Sequence, residues 1–204
     1  MFLVTGIEEL DVKRAKIYLE GEPAFVLYKG EVRELQLKVN KELSEPDYVR
    51  VLTEILPKRA KKRALYLLQK KSYTEWKLRE KLREGFYPSP VIDEAIEYLK
   101  SYHYIDDYAF ARDYIFYRKD KLSKKIIEEK LRAKGISKEA LYLVLQEAYP
   151  DKEEEEELQR RQALKLLEKR AYNRESTDTK EQQKLYAFLM RKGISSSVIK
   201  QVLW

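Results

Sequence analysis

The sequence is poor in the residues that bind metals and carry nucleophilic chemistry. It has no cysteine in 204 residues and a single histidine, His103. The lack of cysteine excludes disulfides, thiolate catalysis and cysteine-based zinc sites, and it is typical of chains from a reducing compartment. We therefore expect a cytoplasmic protein.

Long apolar runs are also missing. No segment approaches the roughly 20 apolar residues that a membrane span needs, and Glu8 and Glu9 interrupt the start where a signal peptide would be apolar. The chain has no glycine-rich phosphate loop, GxSxG elbow or HExxH motif. We expect a soluble protein with no membrane partner, no enzymatic activity, no cofactor and no bound metal.

Positive charge is concentrated in the middle of the chain. The net charge is +7 overall, and residues 57–150 hold 22 Lys and Arg against 14 Asp and Glu. Residues 1–56, in contrast, hold 8 against 11. A localised basic surface is typical of proteins that bind a polyanion, and nucleic acid is the first candidate, because neutralised phosphates release counterions.

The first 40 residues differ from the rest. Short runs rich in Val, Ile, Phe and Tyr predict strands at Phe2–Leu10, Arg14–Glu20 and Ala24–Tyr28, and a fourth at Glu31–Val39. Ser44, followed by Pro46 and Asp47, predicts the N-terminus of a helix.

From Pro57 onward an internal repeat predicts three-helix units. Leu82, Leu131 and Leu189 each follow an apolar residue by four positions and precede further apolar residues by ten and fourteen. Each is followed by a glycine that suits the left-handed end of a helix: Gly85, Gly135 and Gly193.

The predicted fold is mostly α, with three tandem three-helix repeats in an elongated curved array behind a small antiparallel β-sheet. The predicted segments are a sheet domain at 1–43, a linking helix at 44–56, and repeats at 57–106, 107–151 and 152–204.

The stretch YHYIDDYAF places His103 close to Asp106 and Asp107, as a metal-dependent enzyme would require. Adjacent side chains point in different directions on a helix or strand, so the two carboxylates are poorly placed to share one metal. We favour helix capping by one aspartate, with the other stabilising the helix dipole. His103 lacks a second histidine at metal-ligand spacing, and we expect a partly buried loop or helix-end residue.

Two basic groups are candidate contacts for nucleic-acid phosphates or an acidic partner surface, although a solvated helix end is an equal alternative for the first. The first group is Lys58, Arg59, Lys61, Lys62 and Arg63, and the second includes Arg118, Lys121, Lys124, Lys125 and Arg132. Ten aromatic residues lie between Phe86 and Tyr117. They could stack on bases, but helical spacing of Phe110, Tyr114 and Tyr117 favours a core role.

The run from Ala64 to Tyr149 contains the segments ALYLLQKKSYTEWKLREKL, VIDEAIEYLKSYHYIDDYAFARDYI and IIEEKLRAKGI. In combination, these segments resemble the bacterial RecX regulators of the recombinase RecA. Leu122 and Ser123, which precede Lys124 and Lys125, depart from the family pattern, and the third unit, interrupted by Asn173 to Asp178, is the least similar to it.

The resemblance implies a non-enzymatic regulator, which we expect to be an inhibitor. Such a protein binds in the groove of the RecA–single-stranded DNA filament and limits its growth, ATP hydrolysis and strand exchange in recombination, DNA repair and the SOS response. We expect a monomer whose partners are the RecA filament and single-stranded DNA, with double-stranded DNA a weaker candidate. The alternatives are a helical-repeat protein that binds DNA or RNA without a recombinase, and a metal-dependent enzyme that uses Asp106, Asp107 and His103.

Overall fold

A computed structural model of the protein describes residues 1–173 and 178–204. The chain forms two compact units, Met1–Asp106 and Asp107–Trp204. Their boundary falls where the sequence predicts the second repeat to begin. The predicted interruption of the third repeat, Asn173 to Asp178, lies mostly outside the described residues.

A four-stranded antiparallel sheet opens the first unit. Its strands are β1 (Phe2–Glu9), β2 (Arg14–Leu19), β3 (Glu22–Tyr28) and β4 (Glu42–Leu43), in the order β3-β2-β1-β4. Alternate residues of β2 are buried, as expected for a strand with one face on a core.

The predicted strand at Glu31–Val39 is wrong. Helix α1 (Lys29–Glu34) occupies its first half, and the fourth strand is the short β4. The Glu31 carboxylate accepts a hydrogen bond from the Tyr28 N–H at 2.7 Å and so satisfies a backbone donor at the helix start. Local capping thus outweighs the strand propensity of this segment.

A continuous helical run joins the sheet to the first repeat. It comprises α2 (Glu45–Arg50), a π-helical turn (Val51–Ile55) and α3 (Leu56–Lys70). Ser44 Oγ accepts the Asp47 N–H at 3.2 Å, which confirms the predicted N-cap. Pro57 has no N–H to donate, and the wider turn before it is the kind of distortion that lets a helix pass through proline.

Three-helix packing repeats along the rest of the chain. The remaining helices of the first unit are α4 (Glu75–Arg83) and α5 (Ser89–Ser101). The second unit contains α6 (Asp107–Arg118), α7 (Lys124–Arg132), α8 (Lys138–Ala148), α9 (Lys152–Glu168), α10 (Thr179–Arg191) and α11 (Ser196–Leu203). The anchors Leu82, Leu131 and Leu189 are fully buried. A mostly α fold of three-helix units behind an antiparallel sheet is therefore confirmed.

The sheet and the first three-helix unit share one hydrophobic core. Val4, Ile17 and Leu27 from the strands belong to the same buried cluster as Leu78 and Leu82 from α4. The sheet is thus part of the first compact unit. The five-segment division stays a prediction.

The glycines at the helix ends follow the prediction in two of three cases. Gly135 and Gly193 have φ of 81° and 76°, in the left-handed region. In the first repeat the left-handed residue is Phe86, with φ of 61°, and Gly85 lies one position too early. The Tyr87 N–H closes this helix end on the Leu82 carbonyl at 3.3 Å, as the Ile136 N–H does on Leu131 at 3.2 Å. Tyr87 therefore takes the position of Ile136.

Buried polar groups join the second and third repeats. Ser123 Oγ donates to the Lys192 carbonyl at 2.7 Å, and Gln162 Nε2 donates to the Leu122 carbonyl at 3.0 Å. A Cβ added at Gly193 would overlap with Ser123 Oγ. Close backbone approach at Gly193 is therefore required for these two repeats to pack.

We predict that Gly193→Ala lowers the free energy of unfolding by about 1–3 kcal/mol, because it adds left-handed strain and a steric overlap. Gly30→Ala is the control: Gly30 lies in α1 with no atom within 4 Å of an added Cβ, and alanine there should be neutral or stabilise by up to about 1 kcal/mol. Urea unfolding of both variants tests this. Equal stability of the two variants would show that the Gly193 contact is unimportant.

Candidate nucleic-acid interface

The structure divides the ten predicted basic contacts into cations without a carboxylate partner and ion-paired ones. Across residues 1–173 and 178–204, six of the ten have no carboxylate within salt-bridge distance: Lys58, Lys62, Arg63, Arg118, Lys121 and Lys125. All six are exposed. The other four are Arg59, Lys61, Lys124 and Arg132, and each pairs with a glutamate.

Arg59 holds helix α3 to the sheet. Its Nη1 donates to the Val26 carbonyl at 3.1 Å and to Glu31 Oε2 at 2.9 Å, and its guanidinium lies 3.8 Å from the centre of the Tyr28 ring. The side chain is only 13% exposed. Because Nη1 is committed inside the unit and most of the side chain is buried, Arg59 is the least available of the ten for a phosphate.

Lys61 and Lys124 are also partly committed. Lys61 Nζ lies 2.8 Å from Glu94, and Lys124 Nζ lies 2.8 Å from Glu155. Lys124 also lies 5.1 Å from the ring centre of Tyr149. Burial, followed by the charge of Glu155, raises the pKa of Tyr149 to about 12, so its phenol stays neutral.

The aromatic residues do not all belong to the core, contrary to our expectation. Phe110 and Tyr114 pack against the core of the second unit, but Phe116 and Tyr117 are 68% and 73% exposed. The rings of the latter two meet edge to face, with 5.2 Å between their centroids. Helix α6 buries Ala111 and Ile115 instead, which turns Tyr117 towards solvent. The Ala111–Ile115 spacing of four was the signal in the sequence that could have predicted this.

Asp106 and Asp107 lie at the start of α6. The helix begins at Asp107, and Asp106 immediately precedes it, in the N-cap position. This agrees with a structural role for the pair, and capping itself stays a prediction. Within the described ranges, no group of three or more His, Asp or Glu side chains is arranged to hold a metal ion.

His103 is exposed, so our expectation of partial burial is wrong, although it does lie at a helix end. Its φ of 55° is left-handed, and the next N–H, that of Tyr104, bonds to the Leu99 carbonyl at 2.8 Å. Histidine is among the residues that enter this region more readily than most. Its visible contribution is therefore to the end of helix α5.

Sequence reasoning also missed two cations outside the predicted basic groups. Lys13 from the β1–β2 turn and Lys81 from α4 line the same cleft as Lys62 and Arg63. No periodic signal connects these positions, because the packing of the strands on α3 brings them together.

No helix within the described part of the chain is long and apolar enough to cross a membrane.

Two models of known domains match this chain. They are the first three-helix domain of RecX, over residues 60–99, and the third three-helix domain of RecX, over residues 155–203. The third repeat, whose sequence is the least similar to the family pattern, is therefore recognisable as a family domain.

Relatives that match over most of their length are also RecX proteins. The regulatory protein RecX of Clostridium beijerinckii is 35% identical, covering 97% of this chain and 91% of that protein. The regulatory protein RecX of Clostridium acetobutylicum is 32% identical, covering 98% and 94%. A crystal structure of a regulatory protein RecX matches with a TM-score of 0.63 at 28% identity and covers 98% of both chains.

The fold and its matches define a regulatory protein built of three-helix repeats. The exposed cations and aromatic rings lie on that helical framework. The chain belongs to the RecX family.

We predict that Arg59→Gln lowers the free energy of unfolding by about 1–3 kcal/mol, because Glu31 and the Val26 carbonyl lose their partner. Lys62→Gln, on the same helix, should change stability by less than about 0.5 kcal/mol. Thermal and urea unfolding measure both. Similar stabilities would mean that Arg59 is not needed to join α3 to the sheet.

Proposed function

We propose that this protein regulates the recombinase RecA by binding in the groove of the RecA–single-stranded DNA filament. Membership in the RecX family is the observation that carries the proposal. The proposed outcome is inhibition: less filament growth, and with it less ATP hydrolysis and strand exchange in recombination and DNA repair. The protein acts as a monomer in the cytoplasm and without chemistry of its own.

The distribution of exposed cations supports a polyanionic partner. Lys58, Lys62 and Arg63 lie in the first unit, and Arg118, Lys121 and Lys125 lie in the second. Each cation that neutralises a phosphate releases counterions, so several weak contacts add up to useful affinity. Both units therefore take part in the proposed binding.

Binding energy alone is sufficient for regulation of this kind. A filament that exchanges between growing and shortened states shifts towards whichever state the regulator binds more tightly, by an amount equal to the difference in binding free energy. No covalent step is needed.

Direct nucleic-acid binding without a recombinase is the second candidate. The exposed pair Phe116 and Tyr117 favours it, because the pair immediately precedes Arg118 on α6. Rings next to cations are the combination by which single-strand binders hold bases and phosphates together. A protein of this class would bind bare DNA and leave RecA unaffected.

We expect the protein, at amounts well below that of RecA, to inhibit RecA ATP hydrolysis on single-stranded DNA. The triple variant Arg118→Gln/Lys121→Gln/Lys125→Gln should inhibit less, because it loses three phosphate contacts. Arg161→Gln/Lys165→Gln/Lys169→Gln is the matched control, since it removes the same charge from exposed positions on α9 and at its C-terminal cap. Unchanged ATP hydrolysis at every ratio of wild-type protein to RecA would refute regulation of RecA.

We also predict that Phe116→Ala/Tyr117→Ala weakens binding to single-stranded DNA, by about 1–3 kcal/mol for each base that loses its ring. Tyr142→Ala, which removes another exposed tyrosine of the second unit, should bind as the wild type does. Fluorescence anisotropy with a labelled oligonucleotide measures both. If the double variant also binds normally, base stacking on α6 is excluded.

A further inference from the structure

The first unit contains an open cleft where the sheet meets helices α3 and α4. Its volume is about 920 Å³. Its walls come from the β1–β2 turn, the end of β3, the exposed side of α3 and the end of α4. All of these elements lie within Met1–Asp106.

Positive charge dominates the lining of this cleft. The lining has two carboxylates, Asp11 and Glu84, and six cations: Lys13, Arg14, Arg59, Lys62, Arg63 and Lys81. Arg14 pairs with Asp11 at 2.7 Å, and Lys81 pairs with Glu84 at 2.6 Å. In the part of the chain that the structure covers, Lys13, Lys62 and Arg63 have no such carboxylate partner. These three carry uncompensated charge into the cleft.

The sheet side of the cleft is held in place by its own hydrogen bonds. Asp11 Oδ1 accepts the N–H groups of Lys13 and Arg14, each at 2.8 Å, while Oδ2 accepts from Arg14 Nε. The hydrogen bond from the Arg14 side chain, followed by that from the Lys13 N–H, lowers the pKa of Asp11 below its ordinary value. Asp11 is therefore ionised at neutral pH, and its hydrogen bonds fix the backbone of the turn that carries Lys13.

Tyrosine rings lie among these cations. Arg14 and Tyr28 are opposed in the β2–β3 ladder, so both side chains stand on the same face of the sheet. Tyr66 on α3 is 46% exposed, with the Arg63 guanidinium 5.7 Å from its ring centre. Tyr87 is the third tyrosine in the lining, beside Tyr28 and Tyr66. Charge alone would suit an acidic protein surface as well, but rings beside unpaired cations favour a ligand with both phosphates and aromatic bases.

We infer that this cleft binds the phosphodiester backbone of a single-stranded nucleic acid, with Lys13, Lys62 and Arg63 contacting phosphates and Tyr66 stacking on a base. A single strand is favoured because its bases are free to reach a side-chain ring, whereas duplex bases are already stacked. The N-terminal sheet thereby becomes part of the binding surface. The inference deepens the proposed function and rests on it for the setting in which nucleic acid is met.

The test uses the full chain, a fluorescein-labelled oligo(dT) and anisotropy over a range of salt concentrations, without RecA. For Lys13→Gln/Lys62→Gln/Arg63→Gln we expect the slope of log K against log salt to become shallower by about 2. Each phosphate contact on a single strand contributes about 0.7 to that slope. Tyr66→Ala should weaken binding by about fivefold to 150-fold, the equivalent of about 1–3 kcal/mol for one stacked base. Tyr66→Phe should retain the wild-type affinity.

The matched control is Arg33→Gln/Lys38→Gln/Lys41→Gln. It removes one arginine and two lysines from exposed positions of the same unit that do not line the cleft. We expect its affinity and salt slope to equal those of the wild type, and circular dichroism confirms that each variant is folded. A cleft variant indistinguishable from this control would overturn the inference.

Two further outcomes are informative. If labelled poly-glutamate binds with a slope that the cleft substitutions reduce, while oligo(dT) binding is unaffected, the cleft takes an acidic protein and the inference is wrong. RecA ATP hydrolysis, measured with the same preparations, separates this result from the proposed function. Wild-type inhibition of RecA together with unaltered oligo(dT) binding by the cleft variant would sink only the inference. Impaired oligo(dT) binding by that variant, with no effect of the wild type on RecA, would sink only the proposed function.

Discussion

Helix after helix in this protein ends in the same backbone reversal, and the three-helix units depend on it. One residue takes the left-handed conformation, and the next N–H bonds to the carbonyl five residues before it. In the described ranges these left-handed residues are Gln36, Phe86, His103, Gly135, Ala171 and Gly193. Four of the six are not glycine and accept strain of roughly 1–2 kcal/mol each, which burial of the helices they reorient offsets.

This reversal also determines which side chains remain for binding. Each three-helix repeat buries one stripe of its second helix, and Leu82, Leu131 and Leu189 are the fully buried leucines of these stripes. The remaining faces carry lysine and arginine, some of which pair with glutamates while others stay exposed. Function in such a protein depends on how its charges divide between these two groups. The first unit adds a sheet that shares its core and brings Lys13 beside α3.

Periodic features were predictable from the sequence, and so were capping residues. The capping residue Ser44 precedes its helix as expected, and the spacing of the buried leucines identified every repeat. Errors arose where two local signals competed. Glu31–Val39 has strand-like composition, yet the capping interaction of Glu31 starts a helix there. We predicted the left-handed residue at Gly85, but the hydrogen bond from the Tyr87 N–H to the Leu82 carbonyl places it one residue later, at Phe86.

The sequence by itself determined the three-helix repeats, the central location of positive charge and the family. The repeats and the charge distribution depend on apolar periodicity and on composition, whereas the family was indicated by the resemblance of the segments between Ala64 and Tyr149 to RecX proteins. Only the tertiary structure decided which candidate contacts are available. Arg59 is committed because it meets Glu31, 28 residues away, and Tyr117 is exposed because Ala111 and Ile115 fill the core in its place. Ion pairing and exposure depend on neighbours distant in the chain, and a local pattern does not encode them.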